Sequence, residues 1–165
     1  MIKSLYIIRH AKSSWEYSEL HDLERPLTDR GKRDAVIMGS LLRKQNVHPG
    51  IVLCSPALRA VSTARIICDE VGFDKNRIEI NTALYFMDVE DILNVIRSKG
   101  SRQDELFVVG HNPNFSNLAH TLSPAFSEII PTAGIVAMDA TIESWGLLEE
   151  RNATVRWFET PKKYR

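Results

Sequence analysis

Cysteine is scarce in this chain and its charge is balanced. Cys54 and Cys68 are the two thiols among 165 residues, in an expected strand and an expected helix, without the pairing pattern that staples small secreted domains. They read as reduced, buried thiols. Lysine and arginine together number 21, as do aspartate and glutamate, so there is no general basic field to hold nucleic acid or an anionic membrane. Any anion site must therefore be local. No apolar run approaches the roughly 20 residues that span a bilayer, and the apolar part of the N-terminus is too short for a signal peptide. A cytoplasmic location is expected. The sequence also lacks repeats, low-complexity segments, a His-x-x-x-His pair and clustered aspartates. Metal-independent, cofactor-free chemistry is the expectation, with neither a nucleic-acid nor a membrane partner.

What is present is alternation. Residues 3–8 read as a first strand, and Thr28-Asp29-Arg30-Gly31 opens a helix with Ala35, Met38, Leu41 and Leu42 on one face, stopped by Val47-His48-Pro49-Gly50. Ile51 to Cys54 is a second strand. Ser55 reads as an N-cap with Pro56 at the first helical position of a helix through Ala60, Ala64, Ile67 and Cys68, closed by Gly72. A short strand near Ile78-Glu79-Ile80 precedes a helix from about Val89 to Arg97. Leu106 to Val109 is the fourth strand, and Pro113 to Leu122 a further helix. Ile135-Val136-Ala137-Met138 and Thr154-Val155-Arg156-Trp157-Phe158 close the chain as late strands.

This order predicts a single three-layer α/β/α domain over residues 1–165, with a mostly parallel central sheet and a late edge strand, its late strand pair being a candidate for antiparallel pairing. The one long connection, Ala11 to Leu27, is rich in charge. Loops of that length inside compact domains are usually functional or mobile. The terminal Pro161-Lys162-Lys163-Tyr164-Arg165 reads as a short polar tail.

Three of the predicted strands end in polar residues suited to anion chemistry: Arg9-His10, Ser55 through Arg59, and Gly110-His111. In open α/β sheets, ligands collect outside the carboxyl ends of the strands. Planar guanidinium forks such as Arg9 and Arg59 match the oxygens of a phosphoryl group, and Arg59 falls in the first turn of a helix, where free N–H groups also favour an anion. A histidine among cations is driven to its neutral form. If one ring nitrogen of His10 donates to a backbone carbonyl, the other keeps a lone pair for attack on phosphorus. His111 is then a donor to a phosphate oxygen. Each piece alone also has an ordinary structural reading as cap, turn or solvated pair; the argument rests on all three at adjacent strand ends. His48 and His120 lie off this set, while His21, in the long loop beside Asp22, is within reach of it.

These residues resemble the histidine phosphatase superfamily, whose signature is Arg-His-Gly after the first strand, a later Ser-x-x-x-Arg-Ala segment and a Gly-His turn. Arg9-His10-Ala11, Ser55-Pro56-Ala57-Leu58-Arg59-Ala60 and Gly110-His111-Asn112 match in order. The Arg9 to Trp15 opening and the Asp22 to Thr28 segment look most like the SixA-type phosphohistidine phosphatase branch. The resemblance implies a phosphoglycerate mutase-like fold, His10 as nucleophile, and Arg9, Arg59 and His111 as the phosphate pocket. Arg25 is either a further phosphate contact or a loop arginine paired with Asp22 or Glu24. Ala11 replaces the family's usual glycine, which calls for an extended backbone there or a slightly different turn. Many members carry a general-acid carboxylate; the candidate here is Asp88, in Asp88-Val89-Glu90-Asp91, which reads equally as a helix N-cap cluster. The expected activity is hydrolysis of phosphohistidine on a protein through a covalent phosphohistidine. Alternatives are a phosphatase or mutase for a small phosphate ester, and a non-catalytic phosphate-binding module.

Overall fold

Side-chain alternation along the central strands divides the core in two. The computed structural model describes residues 1–16, 21–100 and 102–165. Strand β1 (Ile2–Arg9) sends Leu5 and Ile7 to one face of the sheet and Tyr6 and Ile8 to the other. Both sets are buried, as expected of strands covered on two sides. On the Tyr6 face pack α1 (Asp29–Lys44), through Ala35, Met38 and Leu42, and α2 (Leu58–Val71), through Ala60, Ala64 and Ile67. On the Leu5 face pack α3 (Val89–Lys99), through Ile92, Leu93 and Ile96, and α4 (Asn114–Leu122), through Phe115, Leu118 and Leu122. Full burial of each leucine, isoleucine, methionine or phenylalanine among these contributes about 1.5–3 kcal/mol.

The remaining strands are β2 (Ile51–Cys54), β3 (Glu79–Ile80), β4 (Glu105–Gly110), β5 (Ile135–Thr141) and β6 (Thr154–Glu159), in the order β3-β2-β4-β1-β5-β6. The first four in that order run parallel; β5 pairs antiparallel to both β1 and β6. This is the expected three-layer α/β/α domain with a late edge strand. Gly72, at φ 79, ends α2 in the left-handed conformation that glycine adopts without steric cost. Both cysteines are free and buried.

One helix boundary differs from expectation. Ser55 does not cap α2: the helix begins at Leu58, after Ala57, and the Ser55 hydroxyl is bound elsewhere. Ser55, Pro56 and Ala57 form the link between β2 and the helix, and the Ala57 N–H donates to Ser55 Oγ at 3.2 Å. Arg59, now the second helical residue, still falls in the first turn. The terminal segment is also more than a tail, since Arg165 reaches back with paired bonds of 3.0 and 2.8 Å to the buried Asp34 of α1. No helix among the described residues is long and apolar enough to cross a membrane.

Candidate active site

The parallel ladder continues past the named strands and sets the site's polar residues side by side. His10 N–H donates to the Gly110 carbonyl at 3.0 Å, and Ser55 N–H donates to the Val109 carbonyl at 3.0 Å. Because β2, β4 and β1 are neighbours, Ser55, His111 and His10 emerge together at their carboxyl ends. Gly110 lets α4 and the segment after β3 pack close against this strand end: a Cβ there would stand 2.6 Å from the Phe115 ring and 3.1 Å from the Leu84 carbonyl. Ala11 is fully buried with a negative φ, so no glycine is required after His10; its N–H donates to Thr63 Oγ1 at 2.9 Å.

His10 bonds through Nδ1 to the Ala11 carbonyl at 2.7 Å. A carbonyl only accepts, so Nδ1 holds the proton and Nε2 keeps its lone pair. Burial pushes the His10 pKa down to about 4, with Arg59, Arg9 and Arg25 adding to the effect against the opposing Ala11 bond. The ring is neutral at pH 7. His111 stands 5.1 Å away between ring centroids and is bound through Nε2 to Ser55 Oγ at 2.7 Å. Burial, then the neighbouring His10 and Arg59, bring its pKa to about 3.

Among the described residues, three buried side-chain polar atoms have no protein partner: Arg9 Nε, Arg59 Nε and His111 Nδ1. All belong to residues lining the cavity that contains His10, with a volume of about 340 Å³. An unpaired buried polar group costs about 1–3 kcal/mol, and two of the three atoms are guanidinium N–H donors, whose missing partner an acceptor oxygen would supply. Each guanidinium is also anchored to the protein, Arg9 through one Nη and Arg59 through both. Arg9 Nη1 donates to the Ile130 carbonyl at 3.0 Å, and Arg59 Nη1 and Nη2 donate to Asp22 O at 2.6 Å and Asp22 Oδ2 at 2.8 Å.

Asp22 is the carboxylate that sequence reasoning placed only as a partner for Arg25. It lies in a 3-10 turn, Asp22–Glu24, within the long loop after β1, which folds back as Ser13 bridges Leu27. Arg59, Arg25 Nε at 3.3 Å and the Tyr85 hydroxyl at 2.6 Å all donate to it. Burial alone would raise its pKa, but the bonds from Tyr85 and Arg59 and the charge of Arg59 hold it down to about 2. Arg25 pairs with Asp22 but is buried instead of solvated, and its side chain lines the cavity, bonding Ser13 Oγ at 2.6 Å beneath the Trp15 ring. Asp88 stands apart. Its carboxylate accepts the Asp91 N–H at 2.9 Å as the N-cap of α3, and it is not among the residues lining the cavity, which argues against the general-acid reading.

Tyr85 and Phe86 were missed as well. They follow β3, and extending the strand-end rule to that short strand would have pointed to them. Phe86 stacks on His111 at 4.7 Å between centroids with its backbone at φ 58, a conformation disfavoured for a bulky residue. Phe86 and Trp15 flank the cavity as exposed aromatics. A larger cleft of about 930 Å³, lined in part by Lys12, Trp15, Arg30 and Lys32, adjoins it. Among the described residues no group of three or more His, Cys, Asp or Glu side chains is gathered to hold a metal ion.

Residues 5–112 match the family model of the histidine phosphatase superfamily, branch 1. An uncharacterized protein of Mycobacterium tuberculosis is 31% identical over 165 residues, covering 94% of this chain and 100% of the relative. Among solved structures, the protein histidine phosphatase SixA complexed with tungstate superposes with a TM-score of 0.83 at 24% identity, over 98% of this chain and 99% of that one. A mycobacterial glucosyl-3-phosphoglycerate phosphatase superposes with a TM-score of 0.69 at 13% identity, over 94% of this chain and 98% of that one. At these identities the superpositions establish a shared fold, the phosphoglycerate mutase-like arrangement. With the family model spanning the first strand through the Gly110-His111 turn, this chain belongs to the histidine phosphatase superfamily.

Proposed function

We propose that this protein is a phosphatase that removes the phosphoryl group from phosphohistidine on a protein substrate, through a covalent phosphohistidine at His10. The observation that carries the reading is the gathering, in one cavity, of His10 with its Nε2 lone pair free and of Arg9, Arg59 and His111, each with a buried ring or guanidinium nitrogen that has no protein partner. A transferring phosphoryl group has three non-bridging oxygens, and catalysis of its transfer is mostly positioning and charge stabilisation. In the first step the Nε2 lone pair of His10 forms a bond to phosphorus as the bond to the leaving group breaks, the electron pair leaving with that group. Water then attacks phosphorus as the P–Nε2 bond breaks and its electron pair returns to Nε2, and the water's proton passes to a phosphoryl oxygen, so that inorganic phosphate departs.

The proton balance favours a P–N substrate. A phosphoimidazole protonated on its other nitrogen departs as neutral imidazole and takes no proton from the enzyme. An alkyl phosphate departs as an alkoxide and needs an acid. Asp22, the carboxylate in the cavity, is held ionised by its donors and has no proton to give near neutral pH. The adjoining cleft, with Lys12, Arg30 and Lys32, offers room for a substrate larger than a metabolite. The superposition on SixA, described as a protein histidine phosphatase, points the same way.

The test compares turnover of a phosphohistidine-bearing protein with sugar, glycerate and nucleotide phosphates, each with and without EDTA. Phosphohistidine is expected to be hydrolysed fastest, and His10→Ala to abolish both turnover and acid-labile labelling of the enzyme. Retained turnover in His10→Ala would overturn the mechanism, and preference for an ester would overturn the substrate.

A further inference from the structure

We propose that Ser55 is a positioning residue that fixes the tautomer of His111, so that the unpartnered Nδ1 carries a proton for a phosphoryl oxygen. The inference rests on the phosphatase reading for its purpose, though not for its chemistry. Ser55 is fully buried, and its hydroxyl has two neighbours: the Ala57 N–H, which donates to Oγ at 3.2 Å, and His111 Nε2 at 2.7 Å. The Ala57 bond uses one acceptor position on the oxygen. Among the described residues the acceptor available to the hydroxyl hydrogen is His111 Nε2.

Two arrangements are conceivable. If His111 carried its proton on Nε2, it would donate to Ser55, and the Ser55 hydroxyl hydrogen would be buried without an acceptor. Nδ1 would also present a bare lone pair to the phosphoryl oxygens, which repel it. If Ser55 donates instead, every hydrogen between Ala57 and His111 is used, and Nδ1 carries the ring's remaining proton. Full protonation is opposed by the burial and cationic surroundings of the ring. The relay runs from Ala57 N–H to Ser55 O–H to His111 Nε2, and leaves Nδ1–H for the ligand.

The two site histidines thereby hold the same tautomer for opposite uses. His10 spends Nδ1–H on the Ala11 carbonyl and attacks with Nε2. His111 spends Nε2 on Ser55 and donates with Nδ1. This also accounts for Ser55 lying in a turn before α2 instead of capping the helix.

The experiment reads the tautomer directly, by long-range proton–nitrogen correlation on protein labelled with 15N-histidine at neutral pH. Wild type should show His111 protonated on Nδ1, and Ser55→Ala should shift population to the Nε2–H form. Affinity for inorganic phosphate, measured by calorimetry, should fall roughly tenfold or more in Ser55→Ala, the loss of one hydrogen bond to a charged group. Ser55→Thr, which keeps the hydroxyl, should restore the tautomer. In a His111→Ala background, Ser55→Ala should change phosphate affinity less than twofold, whereas a role in stabilising the turn would persist there. An Nε2–H tautomer in wild type, or an equal effect of Ser55→Ala in both backgrounds, would overturn the proposal. Absence of turnover on every phosphorylated substrate would overturn the phosphatase reading alone, because tautomer and phosphate affinity are read without turnover.

Discussion

Acid should destabilise this protein through its two active-site histidines, and the size of the effect follows from their burial. His10 and His111 are 7% and 2% exposed, with pKa values brought to about 4 and about 3 from the ordinary 6.5. Unfolded, both take up protons as pH falls through about 6.5; folded, they stay neutral until about 4 or below. Between those limits the unfolded chain binds more protons, so stability drops with falling pH by about 1.4 kcal/mol per unit per histidine. From pH 7 to pH 5 each histidine costs roughly 2 kcal/mol, and the coupled pair roughly 4 kcal/mol, a large share of a typical domain's 5–15 kcal/mol. The assay is urea unfolding at both pH values for wild type and for His10→Asn/His111→Asn. Carboxylates and other groups titrate alike in both proteins, so the difference isolates the pair. The double variant should lose roughly 4 kcal/mol less than wild type over this interval. An equal loss in the two proteins would show that the histidines are not held neutral by the fold, and would undercut His10 as a free nucleophile.

Three other substitutions test the site and its support. Arg59→Lys removes the fork that binds Asp22 through two nitrogens and the further unpaired Nε donor, so kcat/KM should fall by roughly two orders of magnitude, about 3 kcal/mol, in steady-state kinetics. Asp22→Ala removes the carboxylate anchor of that guanidinium and the acceptor of the Tyr85 hydroxyl; kcat/KM should fall about tenfold or more, while an unchanged value would mean that Arg59 needs no such anchor. Gly110→Ala forces a methyl group against the Phe115 ring and the Leu84 carbonyl, and should cost about 1–3 kcal/mol of stability in thermal or urea unfolding.

The alternation of apolar runs and the residues at their ends determined much of this protein from sequence alone. The continuous apolar run from Leu5 to Ile8 and the helical spacing of Ala35, Met38 and Leu42 are local properties, and they suffice to place a strand buried on both faces and the inward side of a helix. Arg9, His10, Arg59 and His111 were legible for the same reason: residues just past parallel strands must gather at one edge of the sheet. Tertiary structure decided what spacing does not encode. Asp22 enters the cavity because the loop after β1 folds back onto Arg59, a contact across 37 positions in the chain. Ser55 abandons a helix cap for His111, 56 positions away, because the parallel register of β2 and β4 sets them side by side. Arg165, which reads as part of a polar tail, pairs with buried Asp34 because the terminal turn packs on α1. Local patterns record the burial of a segment, whereas the partner of a polar atom is fixed only once distant segments share one surface.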